Sequence, residues 1–299
     1  MTQLLAALLL DARPRPTGEW IPALSPHLST LVGTVILGAL YFWGITVARR
    51  RYNLGPPARP LQVASFVAAL AVLLVSLNGP IHDLSDYYLF LIHMLQHLLL
   101  TMLFPLLLIL GTPAWLLRPL VRPAWVQRTG RFLAHPVIAG ILFTICVAAW
   151  HTIPLYDLMM RNHDVHIATH LMFIVVSVIM WWPVMSPIEE VPPLPLGARM
   201  LYLFLVSLPM QAVAAIITMA ERPLYQWYVA APRTWGLSPL DDQKLGGLLM
   251  WVPGNLWMFG IIAILFFMWN REQQGSAPAA GAPSGAPAPS LPLGKAART

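Results

Sequence analysis

The sequence predicts an all-α protein, a polytopic membrane bundle of about seven transmembrane helices, and three observations carry that prediction. Of 299 residues, 58% are hydrophobic and only 10% are charged, against roughly 25% charged in soluble domains. The apolar residues gather into runs of spanning length, and the arginines cluster at the ends of those runs. With a mean hydropathy of +0.66, a soluble fold would expose large apolar patches and aggregate, so lipid is the expected solvent.

Runs long enough to cross the roughly 30 Å hydrocarbon core occur at His27–Ala48, Leu61–Asn78, Phe90–Leu110, Pro136–Trp150, Val165–Trp182, Met200–Ala220 and Gly246–Trp269. The fourth is short, so it is expected to extend past Trp150 or to begin before Pro136. Leu4–Leu10 is too short to span and follows no basic residue, which argues against a signal peptide. From Gly275 onward the chain is Ala, Pro, Gly and Ser with almost nothing to bury, the composition of a disordered tail. The expected organisation is an outer segment at 1–26, a membrane domain at 27–270 and a tail at 271–299. No internal repeat is visible. Pro105, Pro209 and Pro253 fall inside spans, where proline is tolerated and kinks the helix.

The formal charge of +6 and pI near 9.8 would suit nucleic acid. No basic stripe interleaved with aromatics accompanies them, so no nucleic-acid partner is expected, and the basic residues read as topology signals. Arg49, Arg50, Arg51, Arg59, Arg118, Arg122, Arg128, Arg131, Arg199, Arg271, Lys295 and Arg298 fall on one side. Only Arg13, Arg15, Arg161, Arg222, Arg233 and Lys244 fall on the other. The positive-inside rule then places the N-terminus outside and the C-terminus in the cytoplasm of a bacterial inner membrane. The fifth loop dissents, with Glu189 and Glu190 against one Arg, but acidic residues weigh little in this rule.

That orientation gathers the histidines. His93 and His97 lie in the outer half of the third span, His151 at the outer end of the fourth, and His163, His166 and His170 in the first turns of the fifth. His27 and His82 lie at the same level, and only His135 falls on the cytoplasmic side. His93 and His97 are four apart, as are His166 and His170, so each pair stacks on one helical face. Asp242, Gly246 and Met250 repeat every four residues on the seventh span, where Gly246 and Gly247 would let a neighbouring helix approach closely. Imidazole, carboxylate and thioether converging in a bundle make a transition-metal site, and imidazole with thioether suits copper best. The candidate ligands are His93, His97, His151, His166, His170, Asp242 and Met250.

A plainer reading stands beside this one. A histidine near a membrane interface often snorkels or caps a helix, and His27, His82 and His135 are assigned to that role. Met250 alone would be packing, Cys146 a small core hydrophobe, and Trp181–Trp182 part of an interfacial aromatic belt. Ionisable groups inside spans are costly and usually functional, so the two His pairs favour a site. With a single cysteine, neither an internal disulfide nor a CxxC site is available.

The run His93-Met94-Leu95-Gln96-His97-Leu98-Leu99-Leu100, followed by Leu110-Gly111-Thr112-Pro113, resembles the caa3-type cytochrome c oxidase assembly factor family. So do Trp150-His151-Thr152-Ile153-Pro154-Leu155-Tyr156-Asp157, His166 to His170, Trp181-Trp182-Pro183, and Asp242-Gln243-Lys244-Leu245-Gly246-Gly247 with Met250-Trp251. These motifs occur in family order over roughly residues 80 to 260. The resemblance implies a heptahelical protein, not an enzyme, that assembles a haem–copper terminal oxidase through its copper, with oxidase subunits and the bilayer as partners. The ligand set is a reading of this chain's residues and is not carried over from the family. Two other classes remain open: a membrane cytochrome with His97 and His170 as axial haem ligands, and a metal or proton permease. A retinal protein is excluded, because neither Lys244 nor Lys295 lies mid-membrane.

Overall fold

A computed structural model describes residues 27–233 and 235–276. The outer segment expected at 1–26 and most of the tail, from 277, lie outside the described residues.

Among the described residues, six helices are long and apolar enough to cross a membrane, or seven if one bent pair is counted as a single span. They are α1 (Leu28–Tyr52), α2 (Pro60–Leu77), α4 (Phe90–Gly111), α9 (His163–Met185) and α10 (Leu196–Met219), with α12 (Pro239–Ser276). Between them lie α3 (Gly79–Tyr87), α5 (Ala114–Val121), α6 (Ala124–Leu133), α7 (Pro136–Trp150), α8 (Ile153–Arg161) and α11 (Gln226–Val229).

The fourth apolar run departs from expectation: α7 extends in neither direction. It stops at Trp150, and α6 joins it through a bend of 65°. His135 and Pro136 stand at the junction, and proline pushes its predecessor out of the helical region; His135 has ψ 127°. Fifteen residues rise only about 22 Å, short of the hydrocarbon core, so α7 reaches spanning length only when the bent pair is counted as one span. The seventh run is longer than expected, since α12 begins at Pro239 and continues past residue 271 to Ser276.

Close approaches fall where small residues allow them. A Cβ at Gly246 would come within 2.5 Å of the Phe90 ring and 3.2 Å of the Leu91 Cα, and one at Gly247 within 2.9 Å of the Thr218 backbone nitrogen. These adjacent glycines wedge α12 between α4 and α10, as the sequence predicts. At the far end of α4, the Gly111 carbonyl accepts from the Tyr41 hydroxyl at 2.9 Å, and a Cβ there would sit 2.5 Å from the Phe66 backbone nitrogen. Gly111→Ala is therefore expected to cost about 1–3 kcal/mol by overpacking, read as a lowered unfolding midpoint in detergent.

Pro105 leaves a signature in α4. It has no N–H to offer the Thr101 carbonyl four residues earlier, and the preceding turn, Leu99–Leu103, is π-helical. The Trp181 indole Nε1 of α9 donates to that carbonyl at 3.0 Å. Trp181 is thus fully buried among Phe143, Phe173, Met180 and Leu203, which corrects its assignment to an interfacial belt. Its polar edge is used inside the bundle. The dissenting fifth loop also finds its place. Glu189 and Glu190 lie 3.7 and 3.6 Å from Arg118, and Arg131 donates to the Glu190 carbonyl. The third and fifth loops therefore share one face. These pairs are largely exposed and add little stability.

Candidate metal centre

The N-terminal turns of α4 and α9 face each other, and each presents its histidine pair to the other. His93 and His166 stack with ring centroids 5.5 Å apart and planes 6° from parallel. Below them, His97 and His170 meet edge to face with centroids 5.6 Å apart. Along each helix the paired nitrogens nearly touch: His93 Nε2 and His97 Nε2 are 2.8 Å apart, His166 Nε2 and His170 Nε2 3.2 Å. All four are buried. Ligand atoms of His93, His97 and His170 lie within 4.8 Å of one another, as do those of His93, His166 and Asp86.

The hydrogen bonds fix where the lone pairs point. The Tyr228 hydroxyl donates to the Ser85 carbonyl, so its oxygen is left to accept from His93 Nδ1 at 2.8 Å. That keeps the proton on Nδ1 and turns the Nε2 lone pair into the box. On α9, His166 Nδ1 lies 3.7 Å from the Asp86 carboxylate, beyond hydrogen-bond reach but within electrostatic range. His151, the C-terminal cap of α7, donates from Nδ1 to the Val147 carbonyl at 2.7 Å. Its Nε2 therefore carries a lone pair, and that nitrogen is buried without a hydrogen-bond partner, as is His97 Nδ1. The His97 and His151 rings are 5.9 Å apart. Buried polar atoms are paired in the great majority of cases, and here two unpaired imidazole nitrogens stand beside a four-histidine box whose geometry could hold a metal ion. The donor set, neutral imidazole with one carboxylate, is one that divalent transition metals and copper accept.

His82 belongs to this assembly and not to the interface, which corrects its assignment. Its Nε2 faces Asp86 at 3.3 Å and its Nδ1 accepts from Gln96 at 3.0 Å, while Gln96 also donates to the Ser76 carbonyl. Asp86 lies in α3, outside the spans. Burial would raise its carboxyl, but the imidazoles of His82, His166 and His93 outweigh that and hold it below the ordinary value. His27 stands at the N-cap of α1, in keeping with its assignment, and also packs against the His82 ring with centroids 4.1 Å apart. His135 stays apart from the cluster, as expected, at the start of α7.

Two candidate ligands are not brought to the box. Both Asp242 carboxylate oxygens accept from the N-terminus of α4, from Phe90 N–H and Leu91 N–H at 3.0 Å each, and Arg233 lies 3.6 Å away. Met250 packs in an apolar cluster with Phe90, Met94 and Tyr156. The Asp242–Gly246–Met250 face is real, but it is spent on docking α12 against α4. Asp86, Tyr228 and Gln96 were missed in the sequence, although His82 and Asp86 are four residues apart on one helix, the same spacing that marks the histidine pairs.

No solved structure matches the chain. Uncharacterized proteins of Mycobacterium bovis and Mycobacterium tuberculosis are each 28% identical over 267 residues, covering 83% of this chain. One of Mycobacterium leprae is 30% identical over 82% of it. The matched region spans 40% of the length of these relatives. A model of the cytochrome c oxidase caa3 assembly factor family matches residues 39–272, a stretch that holds every helix from the middle of α1 through most of α12 and every residue of the four-histidine box. The chain therefore belongs to the cytochrome c oxidase caa3 assembly factor family.

Proposed function

We propose that this protein binds copper transiently in the box of His93, His97, His166 and His170, with His151 beside it, and passes the ion to a haem–copper oxidase subunit. The observation that carries the reading is the pairing of facing His-x-x-x-His turns with two buried imidazole nitrogens that have no other partner. Met250 packs away from the box in an apolar cluster, so the choice of copper over other imidazole-loving metals rests on the family's connection to an oxidase. The role is one of binding and transfer, and no catalytic turnover is assigned. Exchange is what delivery requires, and a box with more nitrogens than a soft monovalent ion needs can hand it from one subset of ligands to another.

A haem between His97 and His170 would need an open slot for the macrocycle, and the imidazoles of His93 and His166 stand against those two rings at 2.8 and 3.2 Å, nitrogen to nitrogen. The proposed orientation puts the N-terminus and the box outside, the C-terminus inside. A periplasmic reporter fused after residue 85 or 160 is then active, and one fused after residue 275 is silent; the reverse pattern removes the box from the outer side.

The role is tested in a strain lacking the protein. Under copper delivery, oxidase subunits accumulate but are copper-poor and inactive, and excess copper in the medium restores part of the activity by mass action. If the subunits are instead degraded and copper brings nothing back, the protein is a scaffold. Normal respiration through every haem–copper oxidase would exclude both roles.

A further inference from the structure

A box buried this deeply needs a way in. Beside it, α1, α2 and α9 leave an open cleft of about 250 Å³ whose inner wall includes His82, Asp86, His166 and His170 and whose outer wall includes Gly33 and Thr34. The cleft lies on a side of α1 that is otherwise apolar and lipid-facing, with Val32, Val35 and Ile36 exposed. Polar side chains on such a helix are costly unless they line water or protein. Thr34 is buried and bonds its own helix at the Thr30 carbonyl. His163, half-buried at the first turn of α9, lines the same cleft.

The seat at the inner end is built differently from the box. The Asp86 carboxylate lies between His82 Nε2 at 3.3 Å and His166 Nδ1 at 3.7 Å. It therefore touches both the cleft wall and, through His166, the box itself. His166 and His170 line the cleft with one edge and face α4 with the other. A carboxylate seat that shares a residue with the inner site gives an incoming cation a favourable step before it loses its last waters.

We propose that this cleft is the passage by which the metal ion enters and leaves the four-histidine box, with Asp86 and His82 as its intermediate seat. The proposal rests on the metal-binding reading above and adds the route and the residues that serve it. Movement of the ion is then controlled from the α1 side, and an oxidase subunit taking up the ion must reach the cleft mouth near His163.

The experiment uses the full chain in detergent with Cys146→Ala as background, so that one introduced thiol is read at a time. A Cβ at Gly33 meets no atom within 4 Å, so Gly33→Cys is accommodated without a clash. Val32→Cys and Val35→Cys flank it on the lipid-facing surface. A charged, membrane-impermeant thiosulfonate should modify Gly33→Cys about tenfold faster than either neighbour, since lipid-facing thiols see no water. Depth alone cannot produce a maximum at the middle position. The protein is loaded with copper(I) before or after labelling, and release to a water-soluble copper(I) chelator is followed optically. The adduct on Gly33→Cys should slow both loading and release by about tenfold or more, the range over which steric gating moves association rates, with unchanged copper per protein at equilibrium. Removing the adduct with a phosphine should restore the rate, which separates blockage from misfolding. Equal reactivity at the three positions, or exchange unchanged by the adduct, overturns the passage while leaving the box intact. Unlabelled protein that binds no copper removes the box reading, and the passage with it.

Discussion

Purified protein carrying both His97→Ala and His170→Ala is expected to hold less than about a tenth of the wild-type copper, because even outer-shell changes cost 10–100-fold in metal affinity and these are proposed ligands. Insertion and folding should persist. The spans that drive insertion are untouched, and the loss leaves His93 and His166 each without a neutral partner, a penalty of about 1–3 kcal/mol apiece. The two substitutions remove one member of each facing pair, so the box cannot close from either helix. His135→Ala, at the far end of the molecule, should bind copper as wild type does. Metal analysis beside an unfolding curve in the same detergent decides the matter. Equal copper loss from the His135 change would mean general unfolding, and full copper retention in the double variant would place the ion elsewhere.

Asp242→Ala should have the opposite profile. Its carboxylate is fully buried and holds two backbone N–H groups at the start of α4, with Arg233 beside it. A helix N-terminus carries partial positive charge and unsatisfied donors, and here another helix supplies the cap. Removing one partner of such a buried set leaves charge and donors uncompensated, at a cost of about 3–5 kcal/mol. The expected outcome is a large drop in folded protein and in unfolding midpoint, with wild-type copper per folded molecule. Asp242→Asn keeps one acceptor and should fall between. Copper loss with unchanged stability would return Asp242 to the ligand set.

The two variants mark the difference between a face and a site. Regular spacing shows that residues share one side of a helix, and it is silent on what that side meets. Asp242, Gly246 and Met250 have the same four-residue spacing as the histidine pairs, yet Gly246 turns that face into a docking surface for α4. The histidine pairs were legible because imidazole inside a span has few structural uses. Trp181 was misjudged for a related reason: an indole reads as interfacial until the orphaned carbonyl it serves, made by Pro105 in another helix, is in view.

By itself the sequence determined the membrane class, the places of the spans and the gathering of histidines at one level. Those features follow from hydrophobic run length and from helical periodicity, which are local properties of the chain. Only the tertiary structure decided which imidazoles face one another, that His82 and Asp86 join them, that Asp242 is a cap, and that α7 turns at Pro136. Each of these depends on contacts between segments far apart in sequence. The energy of a buried polar group is set by the partner across the interface, and no single segment carries that information.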